Sequence, residues 1–184
     1  GIVDKRVLKK ARLCLDPDDK GVERVVFPVY GLDKKLYGFT GRATNDKAIP
    51  KVRDYHGLPK GAILLGLHNV VYNSNRVILV EGLMDYLNLL QHGHTALAVM
   101  HSGLTDAQAA ILKEIALPVF LMYDNDKAGQ SGSVEASKKL KGYVPVMVCD
   151  WDVSAICGDM PLPNDPAELT KKEIKYMLDQ AAFG

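Results

Sequence analysis

Two carboxylates follow an apolar run in the segment FLMYDNDKAGQSG, which spans residues 120–132. The run ends at Tyr123 and is typical of a buried strand, and Asp124 and Asp126 come directly after it. Carboxylates this close repel each other, which raises the pKa of one of them unless a cation lies between them. Because carboxylate oxygens suit Mg²⁺ or Mn²⁺ better than zinc, the segment predicts a divalent metal site.

Three further carboxylates occur where other elements are predicted to end or begin. Glu81 closes the apolar run RVILVE, Asp85 follows about one helical turn later, and Asp165 lies in PNDPAE. Because the carboxyl ends of parallel strands open on one crevice, we expect these acids to converge with Asp124 and Asp126. Acidic clusters that hold two ions ~3.5–4 Å apart stabilise the attacking and leaving oxygens of phosphoryl transfer. The acids therefore predict two or more Mg²⁺ or Mn²⁺ ions.

The elements that must position these acids alternate in type in the second part of the chain. Short apolar runs predict strands at residues 76–81, 95–100, 118–124 and 143–149. Segments with helical spacing predict helices at residues 83–93, 105–115, 127–142 and 171–181. Thr105 and Gln108 form a capping-box pattern at the start of the second of these helices. The alternation predicts an α/β fold whose parallel sheet is covered by helices on both faces.

The first part of the chain differs in both pattern and charge. Residues 4–14 predict a basic helix, and residues 23–42 predict two strands joined by a GLDKK turn. Residues 1–80 hold 15 Lys and Arg against 8 Asp and Glu, a net +7, whereas residues 81–184 hold 8 against 14, a net −6. The asymmetry favours an anionic partner on the first part and bound cations on the second, although uneven surface composition is the other interpretation. We expect a basic mixed α+β domain over residues 1–75 and an α/β domain over residues 76–184.

Composition argues against several protein classes. No apolar run approaches the ~20 residues that a membrane-spanning helix needs, and no secretory signal opens the chain. The cysteines Cys14, Cys149 and Cys157 form no C-x-x-C pair, which argues against a structural zinc site and for a reducing compartment. The first residue is Gly1 rather than Met, so we expect a processed chain or a fragment of a longer one.

The order of the acidic motifs resembles that of a known family. VEGLMD (80–85), YDNDKAG (123–129) and NDP (164–166) resemble the Toprim domain shared by DnaG-type primases, topoisomerases and some nucleases. Within that group the chain most resembles a DnaG-type primase catalytic core, of the sort often found in phages. FPVYGLDKKLYGFTGR (27–42) is similar to the stretch before the Toprim domain in those primases, and IPK and LPKG are similar to the basic segment that follows this stretch. The resemblance covers roughly residues 23–180.

The resemblance implies an enzyme that synthesises short RNA primers on single-stranded DNA from nucleoside triphosphates. It implies a Toprim parallel sheet flanked by helices, preceded by a smaller basic subdomain. Glu81 would act as general base or position a metal ion, together with two or more Mg²⁺ or Mn²⁺ ions. The other implied metal ligands are Asp85, Asp124, Asp126 and Asp165.

The implied contacts to nucleotide or template backbone are basic residues of the first part of the chain. Arg42 and Lys51 would join Glu81 in the catalytic set, since a triphosphate needs cations from the protein as well as from the metal. Arg53 and Lys60 would bind nucleotide or DNA, and Lys127 is expected to screen the acidic pair or to contact phosphate. Such a primase acts in the cytoplasm of a bacterium or a phage-infected cell. Because the sequence holds neither zinc-ribbon cysteines nor a G-x₄-G-K-[ST] loop, a zinc-ribbon module and a replicative helicase are expected outside it.

Two alternatives to the primase interpretation stay open. Related primases often carry a second Asp two residues after the Asp of NDP, whereas this chain has Ala167 there, with Glu168 next to it. A catalytically silent nucleic-acid-binding Toprim scaffold is therefore one alternative. A Toprim nuclease or topoisomerase fragment, which would use the same acids for hydrolysis or strand passage, is the other. The basic GR, PK and PKG motifs favour the primase interpretation.

Overall fold

An antiparallel sheet forms the amino-terminal part of the chain. The structure is a computed structural model that describes residues 5–17, 21–45, 47–55, 57–70, 74–154 and 163–184. A short basic helix, α1 (Lys5–Ala11), comes first and buries Val7 and Ala11. The sheet follows, with its strands in chain order from one edge to the other: β1 (Cys14–Pro17), β2 (Glu23–Tyr30), β3 (Leu36–Ala43) and β4 (Val52–Asp54).

In the second part of the chain, the described residues form a second sheet, mostly parallel, and four helices. Its strands are β5 (Val77–Val80), β6 (Ala96–Ala98), β7 (Val119–Leu121), β8 (Val146–Val148) and β9 (Ala182–Phe183). The helices are α2 (Leu83–Gln91), α3 (Asp106–Ile115), α4 (Lys127–Leu140) and α5 (Lys171–Gln180). The strand order is β6-β5-β7-β8-β9, in which β9 alone is antiparallel to its neighbour. Short 3-10 turns occur at Lys60–Ala62, Leu67–Asn69 and Pro166–Glu168.

The predicted strand and helix alternation is confirmed, and the fold class is α/β with helices flanking a parallel-rich sheet. The capping box at the start of α3 is also present, since the Thr105 side chain accepts from the backbone of Gln108. The strands β1, β4 and β9 are not among the predicted elements. They are two to four residues long, which is too short for a period of two to show in the sequence.

Parallel pairing of β5 with β7 explains why the acids meet. Leu79 pairs with Leu121, so Glu81 and Tyr123 reach the same edge of the sheet two residues later. All four residues of β5 are buried, because helices cover both faces of this sheet. The polar side chains that follow the strand therefore lie where the backbone leaves the core.

A buried glutamine fixes the basic PKG segment to the parallel sheet. The fully buried Gln108 directs its amide nitrogen at three backbone carbonyls, those of Lys60 at 3.1 Å, Ile63 at 2.8 Å and Val99 at 3.0 Å. Nearby, Leu65 makes an isolated antiparallel bridge with Ala98 of β6. The amino-terminal basic loops are thus held at a fixed position relative to β6 and α3.

One cluster of buried apolar side chains includes residues from both sheets. Phe27 and Val29 of β2 are fully buried and belong to the same cluster as Leu79 and Leu121 of the parallel sheet. The division between residues 75 and 76 therefore stays a prediction. No helix in the described ranges is both long and apolar enough to cross a membrane. Cys14 and Cys149 are free thiols, and Cys157 lies outside the described residues.

Replacing Gln108 with Ala should lower the free energy of unfolding by about 2–4 kcal/mol, because it leaves a cavity and buried carbonyls without their donor. Urea unfolding followed by circular dichroism measures this change. The matched control is Gln130→Ala on the exposed side of α4, which should change stability by no more than about 0.5 kcal/mol. Equal effects of the two substitutions would show that Gln108 does not hold the segment in place.

Candidate active site

The carboxyl ends of β5 and β7 open on a pocket of about 500 Å³ that we call the acidic pocket. Four of the predicted acids and one of the predicted bases line it: Glu81, Asp85, Asp124, Asp165 and Arg42. The predicted convergence of side chains from separate elements is therefore seen in the structure. Asp126 does not line this pocket.

Asp124 has a buried carboxylate oxygen that no described residue satisfies. Its Oδ1 atom is buried and has no hydrogen-bond partner among the described residues. Burial, followed by the negative charges of Asp165 and Asp126, raises the pKa of Asp124 to about 6. The chain is held tightly here, because a Cβ on Gly129 would lie only 2.1 Å from the Asp124 carbonyl oxygen. Glycine is therefore required at position 129 if α4 is to begin directly behind Asp124.

Asp85 is buried and is already engaged by backbone donors. Its Oδ2 accepts from the Gly82 N–H at 2.8 Å, and its Oδ1 accepts from the Ala167 N–H at 3.1 Å. Burial is the main cause that raises the pKa of Asp85 to about 7, and Asp124 and Asp165 add to the effect. Asp85 thus links the start of α2 to the Pro166–Glu168 turn through hydrogen bonds. Its role as a metal ligand stays a prediction.

Asp165 belongs to a loop that α2 holds in position. Its Oδ1 accepts from the Ala167 N–H at 3.0 Å and so caps the turn that follows. The Asn88 amide of α2 donates to the carbonyls of Pro166 at 2.9 Å and Leu169 at 2.8 Å. Burial and the neighbouring Glu168 raise the pKa of Asp165, whereas Arg42 acts in the opposite direction.

Glu81 lies between the acidic pocket and a second pocket of about 600 Å³ beside α3 and α4. Burial raises the pKa of Glu81, and the charges of Asp124 and Asp126 raise it further, although the Asp124 backbone N–H donates to its carboxylate. Asp126 itself is exposed and caps α4, since its Oδ1 accepts from the Gly129 N–H at 2.7 Å. Its contribution at this edge is negative charge rather than a position in the pocket.

A divalent cation fits this set of donors. Glu81, Asp124 and Asp165 crowd one pocket, and the buried Asp124 Oδ1 needs a positive partner. Across the described ranges, no three acidic, histidine or cysteine side chains are spaced to form a complete metal-binding group. Mg²⁺ does not need such a group, because it keeps several water ligands and is commonly bound by one or two carboxylates together with substrate phosphates.

The predicted basic residues divide into those at the pocket and those away from it. Arg42 of β3 lines the pocket. Lys51 is exposed on the loop before β4, and the buried Arg24 guanidinium fixes that loop by donating to the carbonyls of Lys51 at 3.2 Å and Pro50 at 3.0 Å. The loop geometry around Lys51 therefore depends on an arginine in the core of the antiparallel sheet.

The structure does not bring the other three basic residues into the acidic pocket. Arg53 pairs with Gly41 across the β3–β4 ladder, whereas Arg42 pairs with Val52, so the two arginines lie on opposite faces of the sheet. The Lys60 ammonium lies 2.9 Å from Asp54 Oδ2 in an ion pair. Lys127 is exposed at the first position of α4. Their predicted contacts with nucleotide or DNA stay predictions.

Two residues near the site are absent from the set predicted from the sequence. Arg24 gives a weak signal, namely a charged residue inside an apolar strand. His101 lies three residues after the end of β6, and it lines both pockets. Its Nε2 is buried and has no hydrogen-bond partner in the part of the chain that the structure describes. The preceding Met100 has left-handed backbone geometry, with φ of 66°.

Known sequences that resemble the chain include a Toprim-like family and DNA primases. A family profile described as Toprim-like matches residues 78–155. A DNA primase of Clostridium acetobutylicum is 34% identical over 166 residues, which cover 85% of this chain and 26% of that protein. A DNA primase of Deinococcus radiodurans is 30% identical over 181 residues, which cover 91% of this chain and 30% of that protein. The chain thus spans less than a third of the length of these relatives.

Comparison with solved structures agrees with the fold. The Aquifex aeolicus primase, comprising zinc-binding and RNA polymerase domains, superposes with a TM-score of 0.79 at 24% identity, covering 99% of this chain and 54% of that chain. A DnaG primase catalytic domain bound to single-stranded DNA gives 0.76 at 21% identity, covering 98% of this chain and 69% of that chain. On the evidence of the profile and the relatives, the chain belongs to the Toprim-containing cores of DnaG-type primases.

Proposed function

We propose that this chain holds the nucleotidyl-transfer site of a primase, which joins ribonucleoside triphosphates into short RNA primers on single-stranded DNA. The observation that carries the proposal is the acidic pocket, where carboxylates from β5, α2, β7 and the Pro166–Glu168 turn meet Arg42 of the other sheet. A pocket with carboxylates on one side and an arginine on the other suits a substrate that arrives as a metal–triphosphate complex. Relatives named DNA primase support this interpretation.

Divalent ions, Mg²⁺ or Mn²⁺, would be held mainly by Glu81, Asp124 and Asp165, with Asp126 adding negative charge nearby. When bound, two such ions supply the positive charge that stabilises the attacking hydroxyl and the departing pyrophosphate. Asp85 would keep the loop that carries Asp165 in place, with direct ligation as its second role. The raised pKa values of the acids are the expected signature of a site that awaits cations.

The remaining side chains would position the reactants. Arg42 would contact the triphosphate, and Lys51 would contact the triphosphate or the template backbone from its fixed loop. Glu81 would accept the proton of the attacking 3′-hydroxyl or position a metal ion. Arg53, Lys60 and Lys127 would add weaker backbone contacts, and Lys60 would first have to leave its ion pair with Asp54.

A zinc-ribbon module and a replicative helicase are the partners that we propose for the longer protein, in the cytoplasm of a bacterium or a phage-infected cell. The Aquifex aeolicus structure contains a zinc-binding domain beside its RNA polymerase domain. Another structural neighbour, the primase fragment of the bacteriophage T7 primase-helicase protein, has a TM-score of 0.72 and covers 96% of this chain. Both parts would lie outside the 184 residues of this chain.

The 184-residue chain should incorporate labelled ribonucleotides on a single-stranded DNA template when Mn²⁺ is present, and Asp124→Asn should reduce incorporation at least 100-fold. The loss follows because Asp124 is the acid whose buried oxygen lacks a partner. The control is Asp179→Asn on the exposed side of α5, which should retain full activity. Cleavage of the template without incorporation would instead favour a Toprim nuclease. Metal binding without either activity would favour a silent scaffold.

Without metal, the parent chain should lose stability relative to Asp124→Asn as the pH rises from about 4 to about 6. The folded state raises the pKa of Asp124 to about 6, so it binds the proton more tightly than the unfolded state does. Its favourable contribution is therefore fully present below about pH 4 and is lost above about pH 6. At pH 7.5 in chelator, the Asn variant should be more stable by on the order of 1 kcal/mol after allowance for solvent screening.

Urea unfolding at several pH values in chelator measures this difference, and Mn²⁺ addition supplies the second arm. Mn²⁺ should stabilise the parent and not the variant, since a ligand that binds only the folded state raises the free energy of unfolding. A large loss of metal-free stability in Asp124→Asn would show that Asp124 has a structural role instead.

Lys51→Ala should weaken binding of a nucleoside triphosphate about tenfold and leave Mn²⁺ affinity unchanged, because the ammonium contacts phosphate and not metal. Isothermal titration calorimetry with triphosphate and with Mn²⁺ separates the two effects. Lys47→Ala, an exposed lysine of the same loop, is the matched control and should bind as the parent does. Identical triphosphate affinity in both variants would remove Lys51 from the site.

A further inference from the structure

A second charged pocket lies at the opposite edge of the parallel sheet. It has a volume of about 420 Å³ and is formed where β5 and β6 begin. Arg76 precedes β5 and Glu81 follows it, so the two residues are separated by the length of the strand, roughly 16 Å at ~3.3 Å per residue. We call this second site the basic pocket; it is lined by Lys10, Ser74, Asn75, Arg76, His94 and Thr95, with Ile78 and Gly93.

The basic pocket combines two cationic side chains, those of Lys10 and Arg76, with the His94 imidazole and neutral hydrogen-bonding groups. Lys10, Arg76 and His94 come from three separate parts of the chain, and none of the described residues that line the pocket is acidic. Ser74 and Thr95 add hydroxyl groups, whose oxygens lie 3.1 Å apart. An arginine, a lysine, a histidine and hydroxyl groups around one opening are the donors that proteins use to bind phosphate.

Arg76 is held in place by packing. Its guanidinium carbon lies 5.1 Å from the centroid of the Phe120 ring in a cation–π contact. This contact orients the side chain without neutralising its charge, so the positive charge remains available to a ligand. Lys10 lies at the end of α1, where Lys9 is also exposed, and α1 packs against α2. The pocket thus continues onto the exposed side of a basic helix.

Positive charge at this edge also affects the histidines. Burial lowers the pKa of His94, and the neighbouring Arg76, His92 and Lys171 lower it further. Burial and Lys171 likewise lower the pKa of His92. Cations that oppose one another's charge in this way are stabilised when an anion enters between them. Repulsion between positive charges at the basic pocket thus corresponds to repulsion between carboxylates at the acidic pocket.

We propose that the basic pocket binds a phosphate group, carried either by a nucleic-acid strand or by a free nucleotide, at a site separate from the acidic pocket. Three side chains that donate from different directions can surround one phosphate, and the absence of acids from the described lining avoids repulsion of the ligand. Because the contacts reach phosphate and no base, binding there would be independent of base sequence. The proposal does not require the primase activity, since it rests on the opposite edge of the sheet.

The test measures binding of a fluorescein-labelled 12-nucleotide oligothymidylate and of inorganic phosphate, in chelator, with the full 184-residue chain. Fluorescence anisotropy gives the affinity and its salt dependence, and the NMR signal of the His94 imidazole reports occupancy of the pocket. In the variant Lys10→Gln/Arg76→Gln, the binding that the His94 signal reports should be at least tenfold weaker. Its salt slope for the oligonucleotide should be smaller by ~0.7 for each phosphate that the variant no longer neutralises.

Two controls make the result specific. Lys35→Gln, a charge removal at an exposed turn residue, should bind as the parent does. Arg76→Lys keeps the charge and should bind more tightly than Arg76→Gln, since lysine also binds phosphate as a point charge. Because Arg76 also packs on Phe120, Lys10→Gln alone serves as the test if the double variant does not unfold cooperatively.

The two probes identify the source of the phosphate. A shift of the His94 signal with oligothymidylate alone would support a nucleic-acid strand as the ligand. A shift with inorganic phosphate as well, together with competition between the two probes, would support a site that accepts free nucleotides. The proposal is overturned if neither probe shifts the His94 signal, or if the double variant and Lys35→Gln bind the probes equally well.

Discussion

Crowding of carboxylates at the carboxyl edge of the parallel sheet is the constraint on which the rest of the site depends. Parallel pairing of β5 and β7 brings Glu81 and Asp124 to one edge, and the loop before the Pro166–Glu168 turn adds Asp165. Partial exclusion of water and the neighbouring negative charges raise the pKa of each of these groups. Arg42 is the one lysine or arginine among the described residues that line the pocket, so the chain itself offsets the crowding only in part. The negative charge that Arg42 does not offset favours a divalent cation as the occupant of the acidic pocket.

Several local contacts position the charged side chains of the site. Gly129 permits α4 to begin against the Asp124 carbonyl, and Asn88 fixes the loop that carries Asp165. On the other side, Arg24 and Gln108 donate to the carbonyls of the loops that carry Lys51 and Lys60. The side chains of Asn88, Arg24 and Gln108 each donate to backbone carbonyls that lie outside the α-helices and strands. The same contacts that satisfy these carbonyls determine where the charged groups lie.

The parts of the fold and site that can be predicted from the sequence are those that one segment determines. Glu81 and Asp124 are predictable because each directly follows an apolar run, and strand ends share an edge in a parallel sheet. Arg53 shows the limit of this reasoning. Arg53 lies in β4, a strand of three residues within a polar region. Whether its side chain faces the pocket depends on its pairing with Gly41 of β3. The ion pair of Lys60 with Asp54 and the carbonyl contacts of Arg24 likewise depend on tertiary packing, for which the sequence holds no periodic signal.

Ala167 illustrates how the site can function with fewer fixed carboxylates than the family pattern suggests. Its N–H donates to both Asp85 and Asp165, so this position holds two acids together through the backbone, whatever side chain it carries. Glu168 lines the pocket, but its Oε2 accepts from the Asn164 N–H at 2.8 Å and so also stabilises the loop. With one carboxylate fewer, the proposed ions would take a larger share of their coordination from water and from the phosphates of the nucleotide. Ion binding and nucleotide binding would then support each other, because the phosphates would supply ligands that the chain does not.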